Sequence, residues 1–410
     1  MSQLQIVTDL LGIQGWQVVP GGITMLEGLV EVAIQRLPGS GCQCARCGQT
    51  GLPSHDHALR RVRDLPVWGR RCTLLFEEAR VACPSCGIAV EKLHWLEPHQ
   101  RQTLRYEHYV ARLCQLLPAL DVVELEGLDK GTVYRLDKKW LRLREAQREL
   151  RTVRYLGIDE IAIKRGHRYA TVFYDLERRE VIGVVEGRRE RAVSGFFRRQ
   201  GRTWCRQVVA VCMDLWRAFL NSARRHLTKA VVVFDKFHVY SYLSEAVDEV
   251  RRQEQNQADK EGKQLLKGAR WLLLKAHRHL RRKEKRTLQE LLELNQKLLQ
   301  AHLLKEEFAE FYDCEDAVTA RQFLTGWITR CEESGLEPFL KLAKRLRRWE
   351  EGLLAYFDHR ITNGISEGIN NKIKVLKRRS YGFHDLQYFT LKILSATGAL
   401  PPLESLTHSF

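Results

Sequence analysis

The sequence predicts a multidomain α+β chain: a small metal-bound module, a helical module, and an α/β domain interrupted by a long helical insertion. Three observations predict it. Two C-x-x-C pairs stand within the first hundred residues, short apolar runs of strand length fill 153–234, and helical periodicity dominates from Tyr240 to Phe357. With 410 residues, 44% of them hydrophobic and 29% charged, the composition is that of a globular protein and excludes a mostly disordered or fibrous chain. No apolar run approaches the roughly 18 residues of a membrane helix, and the N-terminus lacks a basic-then-apolar signal pattern, so the expected location is the cytoplasm. Lys and Arg number 67 against 50 Asp and Glu, a net +17, which favours a polyanionic partner. Without an amphipathic anchor, that partner is nucleic acid rather than a membrane surface.

Eleven cysteines in a chain expected in the reducing cytosol do not form a disulfide framework. Cys44-Ala-Arg-Cys47 and Cys83-Pro-Ser-Cys86 each bring two thiolates to one side of a tight turn, and together they supply four soft ligands for a structural Zn²⁺. Leu65 to Val81 reads as strands extending between the two knuckles, which makes residues 1–100 a zinc ribbon. Cys42, His55 and His57 are spare ligands, whereas Cys72, in a strand-like run, is a core residue. Arg60, Arg61, Arg63, Arg70 and Arg71 decorate the module, either as solvated surface or as phosphate contacts.

Residues 101–150 have a helical pattern. Two short helices joined at Gly127, with Asp129 capping the second, give the layout of a helix-turn-helix. Its second helix would carry Lys130, Thr132 and Arg135 toward the major groove.

From 151 to 239 the character changes. Val153–Lys164, Tyr169–Asp175 and Glu180–Glu186 read as strands, Arg189–Gln200 as a helix, and the fully apolar runs Val208–Met213 and Ala230–Phe234 as parallel strands covered on both faces. That order is RNase H-like. Asp159 lies in the first strand and Asp214 ends the fourth, where ligands of a parallel sheet gather. In this strand order the fourth strand lies beside the first, about 4.8 Å away, and the fifth about 10 Å away. Asp214 is therefore the expected partner of Asp159, and Asp235 and His238 are expected beside or behind the site.

After the helical insertion, 240–357, the segment 358–410 contains a helix from Thr362 to Arg379 with an apolar face of Ile365, Ile369, Ile373 and Leu376. Glu367 is expected to share its other face with Asn370, Asn371, Lys374 and Arg378, a carboxylate among amides and cations as a metal site beside phosphate requires. Two adjacent Asn, poor helix formers, argue against a plain solvated face. Within the insertion, eleven cations stand against two acids between Lys260 and Arg286, a net +9 that reads as a DNA track. Leucines from Leu288 to Leu304 read as core, and Trp216, Trp271, Trp327 and Trp349 as packing residues.

Taken in order, the C-x-x-C pairs, Arg63-Asp64-Leu65-Pro66, the helix-turn-helix, Gly157-Ile158-Asp159-Glu160, Phe234-Asp235-Lys236-Phe237-His238, and the stretch from Thr362 to Arg379 ending near Tyr381-Gly382 resemble the DDE transposases of the ISL-three group of bacterial insertion sequences. The resemblance implies an enzyme that binds terminal inverted repeats in double-stranded DNA as a homodimer or higher oligomer, at the nucleoid, and then cuts and joins the ends. It implies Asp159, Asp214 and Glu367 as catalytic ligands of Mg²⁺ or Mn²⁺, and Lys377 and Arg378 as DNA contacts. Three carboxylates suit in-line phosphodiester displacement assisted by two metal ions. Water attacks in cleavage and a DNA 3′-hydroxyl in joining, so no protein nucleophile is required. Two other classes stay open: a transposase-derived DNA-binding regulator without catalysis, and an RNase H-like nuclease that cuts without joining. Inverted repeats and target duplications flanking the gene would favour the transposase.

Overall fold

The computed structural model describes residues 3–149, 151–164 and 168–406. It is a mixed α/β structure with two mixed sheets. The first module opens with helix α1 (Gln3–Leu11), followed by strands β1 (Trp16–Leu26), β2 (Leu29–Arg36), β3 (Ser54–Val67), β4 (Arg70–Cys83) and β5 (Gly87–Val90) in a sheet ordered β1-β2-β4-β3, with β5 on β4. Leu65 to Val81 does form strand, but the hairpin is longer than the sequence suggested, and β1 and β2 are additions. Val18, Val30, Val32 and Ile34 alternate inward to pack with Trp16, Leu74, Phe76 and Trp95, and this core closes the sheet. Cys72 is in that core. Arg60 pairs with Glu78, and Arg63 lies 3.6 Å from Glu126, so these two arginines are structural rather than free for phosphate. Arg70 and Arg71, at the hairpin tip, are exposed.

Three helices follow: α2 (Leu104–Leu116), α3 (Ala119–Glu126) and α4 (Lys130–Ala146). Gly127 closes α3 in the left-handed region at φ +60°, where the Arg71 guanidinium lies within 2.1 Å of the point a β-carbon would occupy. The left-handed backbone is what favours glycine there, since the exposed Arg71 side chain is free to move aside. Asp129 caps α4 by accepting the Thr132 backbone N–H at 2.9 Å, as the sequence indicated.

The second sheet comprises β6 (Tyr155–Lys164), β7 (Arg168–Asp175), β8 (Glu180–Glu186), β9 (Ala210–Met213) and β10 (Val231–Phe234), ordered β10-β9-β6-β7-β8. The first three are antiparallel, and β9 and β10 extend the sheet in parallel from β6. Helices α5 (Glu190–Gln200), α6 (Arg202–Cys205), α7 (Arg217–His226) and α8 (Lys236–Gln257) alternate with or follow these strands. The sheet is covered on both faces. Leu156, Ile158, Phe173, Val211 and Met213 join one core, with Phe196 stacked on Phe173, and Ile161, Val172, Tyr174 and Cys212 join the other.

The first of these cores runs without a break into the insertion, formed by α9 (Lys260–Gly268), α10 (Arg270–Leu274), α11 (Arg282–Leu294), α12 (Gln296–Glu307), α13 (Ala317–Glu333), α14 (Glu337–Arg348) and α15 (Glu350–His359), and α15 returns the chain to β10. Leu288, Leu291, Leu298 and Leu304 are core, as is Trp327. Trp349 is half-buried, but Trp216 and Trp271 are 44% and 70% exposed, contrary to their reading as packing residues. Sequence spacing did not show that their positions fall at a strand-end turn and on the outer side of a short helix. The cations from Lys260 to Arg286 are exposed apart from the half-buried Lys285.

Last come α16 (Gly364–Arg379) and α17 (Leu386–Ala396). They cover the sheet face that carries Ile161 and Tyr174. The C-terminal segment also grips α4. Asp137, almost fully buried, accepts from Lys392 Nζ at 2.9 Å and from the Tyr388 hydroxyl at 2.5 Å. Arg142 donates to Gln387, and Arg144 to Ser395 and to the Pro401 carbonyl. Among the described residues, no helix is long and apolar enough to cross a membrane.

Candidate functional site

Strand register brings the acids together. Ile158 of β6 pairs with Met213 of β9, and Met213 with Phe234 of β10, so the next residue on each strand, Asp159, Asp214 and Asp235, stands in one row across three parallel neighbours. By alternation, Asp159 lies on the same sheet face as Ile161 and Ile163, the face covered by α16.

Asp159, Asp214 and His238 each offer an atom within 4.8 Å of the others. His238, on the first turn of α8, places Nε2 2.7 Å from Asp214 Oδ1. Burial raises the Asp214 carboxyl to about 6 even though His238 pulls it down. Burial also opposes charge on His238, but Asp214 and the other acids outweigh it and raise the imidazole above its ordinary value. Two carboxylates whose oxygens come within 4.8 Å of each other are a donor set suited to a hard divalent cation. His238 fits as the group that holds Asp214.

Asp235 is 2% exposed. It makes no side-chain cap to α8. Its Oδ1 accepts the Asn363 backbone N–H at 2.9 Å, and its carboxyl is raised by burial. It fixes the turn that starts α16. Asn363 also donates from Nδ2 to the Ile158 carbonyl at 3.0 Å. A β-carbon on Gly157 would lie 2.9 Å from Asn363 Oδ1 and 2.7 Å from Leu176, so a glycine is needed just before the acid strand reaches the site.

Helix α16 then orients Asp159. Asn370 Nδ2 donates to Asp159 Oδ2 at 2.7 Å while its Oδ1 accepts the buried Tyr174 hydroxyl at 2.6 Å, and Ser366 Oγ lies 3.2 Å from the same carboxylate oxygen. The expected shared face is therefore split. Asn370, 7% exposed, follows Ser366 and Ile373 inward, whereas Glu367, Asn371, Lys374 and Arg378 are exposed. At about 100° per residue, position 370 lies nearer the line of 366 than that of 367. Glu367 adjoins Ser366 in sequence, but its carboxylate is outside the group formed by Asp159, Asp214 and His238. Lys377 donates to the Ala162 carbonyl at 3.0 Å and so braces α16 on β6. Sequence reasoning missed Asn363, Ser366 and Tyr174; the polar run Thr362-Asn363-Gly364 at a helix start was the available signal.

In the first module, the Sγ atoms of Cys44, Cys47, Cys83 and Cys86 all lie within 4.8 Å of one another, a fit to tetrahedral zinc. Backbone N–H groups of Cys47 and Arg46 pull the Cys44 thiol down to about 7, which favours a thiolate. Cys42, His55 and His57 are not in the group. On α4, Lys130 and Arg135 are exposed and Thr132 is half-buried. Arg135 bonds Gln100 at 3.0 Å, and Lys130 lies over the Tyr134 ring.

Comparison with known proteins matches three parts of the chain. A transposase profile covers residues 156–393, one for the helix-turn-helix domain of transposase family ISL3 covers 91–141, and one for the zinc finger of the IS204/IS1001/IS1096/IS1165 transposases covers 40–86. The transposase for insertion sequence element IS1001 of Bordetella parapertussis is 36% identical over 86% of this chain and 88% of its own length. The transposase for insertion sequence element IS1557 of Mycobacterium tuberculosis is 28% identical over 88% and 87%.

Proposed function

Because this chain belongs to transposase family ISL3, we propose that it binds the terminal inverted repeats of its own element, cuts them from flanking DNA and joins them to a target. The row of acids on β6, β9 and β10 carries this reading, with His238 against Asp214 and Asn370 against Asp159. We read the second sheet as RNase H-like on its order and its mixed direction. Asp159 and Asp214, joined by Glu367, would hold Mg²⁺ or Mn²⁺, which supplies activation of the attacking oxygen and stabilisation of the leaving one. The chain's own residues set the frame. Asn370 and Ser366 fix one carboxylate, His238 fixes the other, and Asp235 anchors the helix that carries Glu367. Asn371, Lys374 and Arg378, exposed beside Glu367, meet the phosphate backbone. Cleavage uses water and joining a 3′-hydroxyl, so neither step leaves DNA bound covalently to the protein.

The remaining modules select the DNA. The four cysteines hold a structural zinc, and α4 enters the major groove with Lys130, Thr132 and Arg135. The division at residues 100, 150, 239 and 357 separates zinc ribbon, helix-turn-helix, the two parts of the catalytic core and the insertion, whose exposed cations follow the duplex. Two ends of one element call for at least a homodimer, working on nucleoid DNA in the cytoplasm. The test is purified full-length protein with Mg²⁺ and end-containing DNA. Nicked or excised ends joined to a second DNA are expected. Cutting without joining would point to a nuclease, and end binding without cutting to a regulator.

A further inference from the structure

Beside the acids, an open cleft of about 1050 Å³ lies between the turn from β8 to α5 and the start of α7, with Tyr169 on its wall. Arg188, Arg189, Arg191, Arg198 and Arg199 line it against two acids, Glu186 and Glu190, of which Glu190 is held by Arg225 at 3.1 Å. Trp216 is 44% exposed in this cleft. Its backbone N–H donates to the Asp214 carbonyl at 2.7 Å, so the indole and a site carboxylate share one tight turn. The Arg188 guanidinium is sandwiched 4.2 Å from the Tyr169 ring and 4.9 Å from the Trp216 ring, and it bonds Glu160, the residue after Asp159, at 3.1 Å. The Trp216 indole N–H donates to the Arg188 carbonyl at 3.2 Å. The indole is thus tied to Asp214 through the turn and, by way of Arg188 and Glu160, to the strand that carries Asp159, with one face against Arg188 and 44% of the residue exposed.

Neither the chemistry proposed for the acids nor the packing of the core uses this cleft. A duplex would present phosphates to the arginines but could not use the indole, because its base faces are stacked inside. An exposed aromatic among cations is the chemistry that takes unpaired nucleotides. We infer that this cleft holds unpaired DNA next to the scissile phosphate, one base stacking on Trp216 and its phosphates lying along Arg189, Arg191, Arg198 and Arg199. The DNA end would then be opened locally before it is cut. This rests on the placement of Asp159 and Asp214 as the cutting site.

The experiment uses full-length protein, an end duplex with 5-iododeoxyuridine beside the scissile phosphate, and the same duplex with mismatches that leave those nucleotides unpaired. Ultraviolet cross-links from the labelled base should map by mass spectrometry to Trp216. Trp216→Ala should cleave the paired end about tenfold more slowly than the native chain, with most of that defect regained on the mismatched end and Trp216→Phe close to native on both. Cross-links landing outside the cleft, or an Ala defect equal on the two substrates, would overturn the inference. If the native chain does not cleave at all, the placement of the acids fails instead, and the cross-link map still reads the cleft by itself.

Discussion

Asp214→Asn tests the row of acids through stability before any chemistry is measured. The native side chain is 13% exposed and follows a fully buried strand, and its carboxyl is raised from 3.8 to about 6 in the folded, metal-free chain. A raised carboxyl means that folding favours the protonated form. The penalty is absent below the unfolded value, grows as pH rises through the interval, and is complete above the folded value. At pH 8 a shift of this size corresponds to about 3 kcal/mol held against the fold. Asparagine carries no charge there, so the variant should be the more stable metal-free protein at pH 8 by up to that amount. The transition of the catalytic core should rise by about 6 °C or more, and the advantage should vanish near pH 4. Differential scanning calorimetry reads both. Added Mg²⁺ should raise the native transition and leave the variant unchanged, because the ion offsets a burial penalty that only the native side chain carries. A variant that melts lower at pH 8, or that Mg²⁺ stabilises as much as the native chain, would refute the reasoning.

Glu367→Gln should melt like the native protein, since the side chain is exposed, and should bind ends normally while cleavage falls by about 10³-fold or more. Retained cleavage in a gel assay would remove it from the catalytic set. Asp235→Asn keeps an acceptor for the Asn363 N–H and should retain some Mn²⁺-supported cleavage, whereas residual activity in Asp214→Asn with none in Asp235→Asn would exchange their roles. Elemental analysis of protein purified without chelator should find one zinc per chain, lost in Cys83→Ser together with the fold of the first module; no zinc in the native protein would discard the site.

The acids were legible because apolar runs mark buried strands, and a residue ending each run inherits its register. Asp159 and Asp214 could be paired from Val208–Met213 and Tyr155–Ile158 alone. What surrounds them was not legible, because Asn363, Ser366 and Asn370 meet β6 across more than 200 residues of sequence. The two adjacent asparagines signalled an unusual helix but not which of them turns inward. In the first module, Pro20-Gly21-Gly22 interrupts the alternation of β1 and hid a strand whose other half, Trp16 and Val18, is core. Trp216 and Trp271 show the opposite failure, since residue type implied packing and position in the fold decided exposure.

The grip of α17 on α4 through Asp137, Lys392 and Tyr388 turns the protein into a gauge. On the proposed function, a DNA end seated on α4 would be held by the helix next in sequence to the one bearing Glu367, so that the part that reads and the part that cuts are braced together. The separation between the recognised sequence and the broken bond is then a dimension of the protein. One base pair inserted between them would carry the scissile phosphate about 3.4 Å along the duplex and roughly a tenth of a turn around it. Such an end would be bound as well as before and cut poorly. On that reading, the two termini of an element would be held to the same spacing by the shape of the enzyme the element encodes.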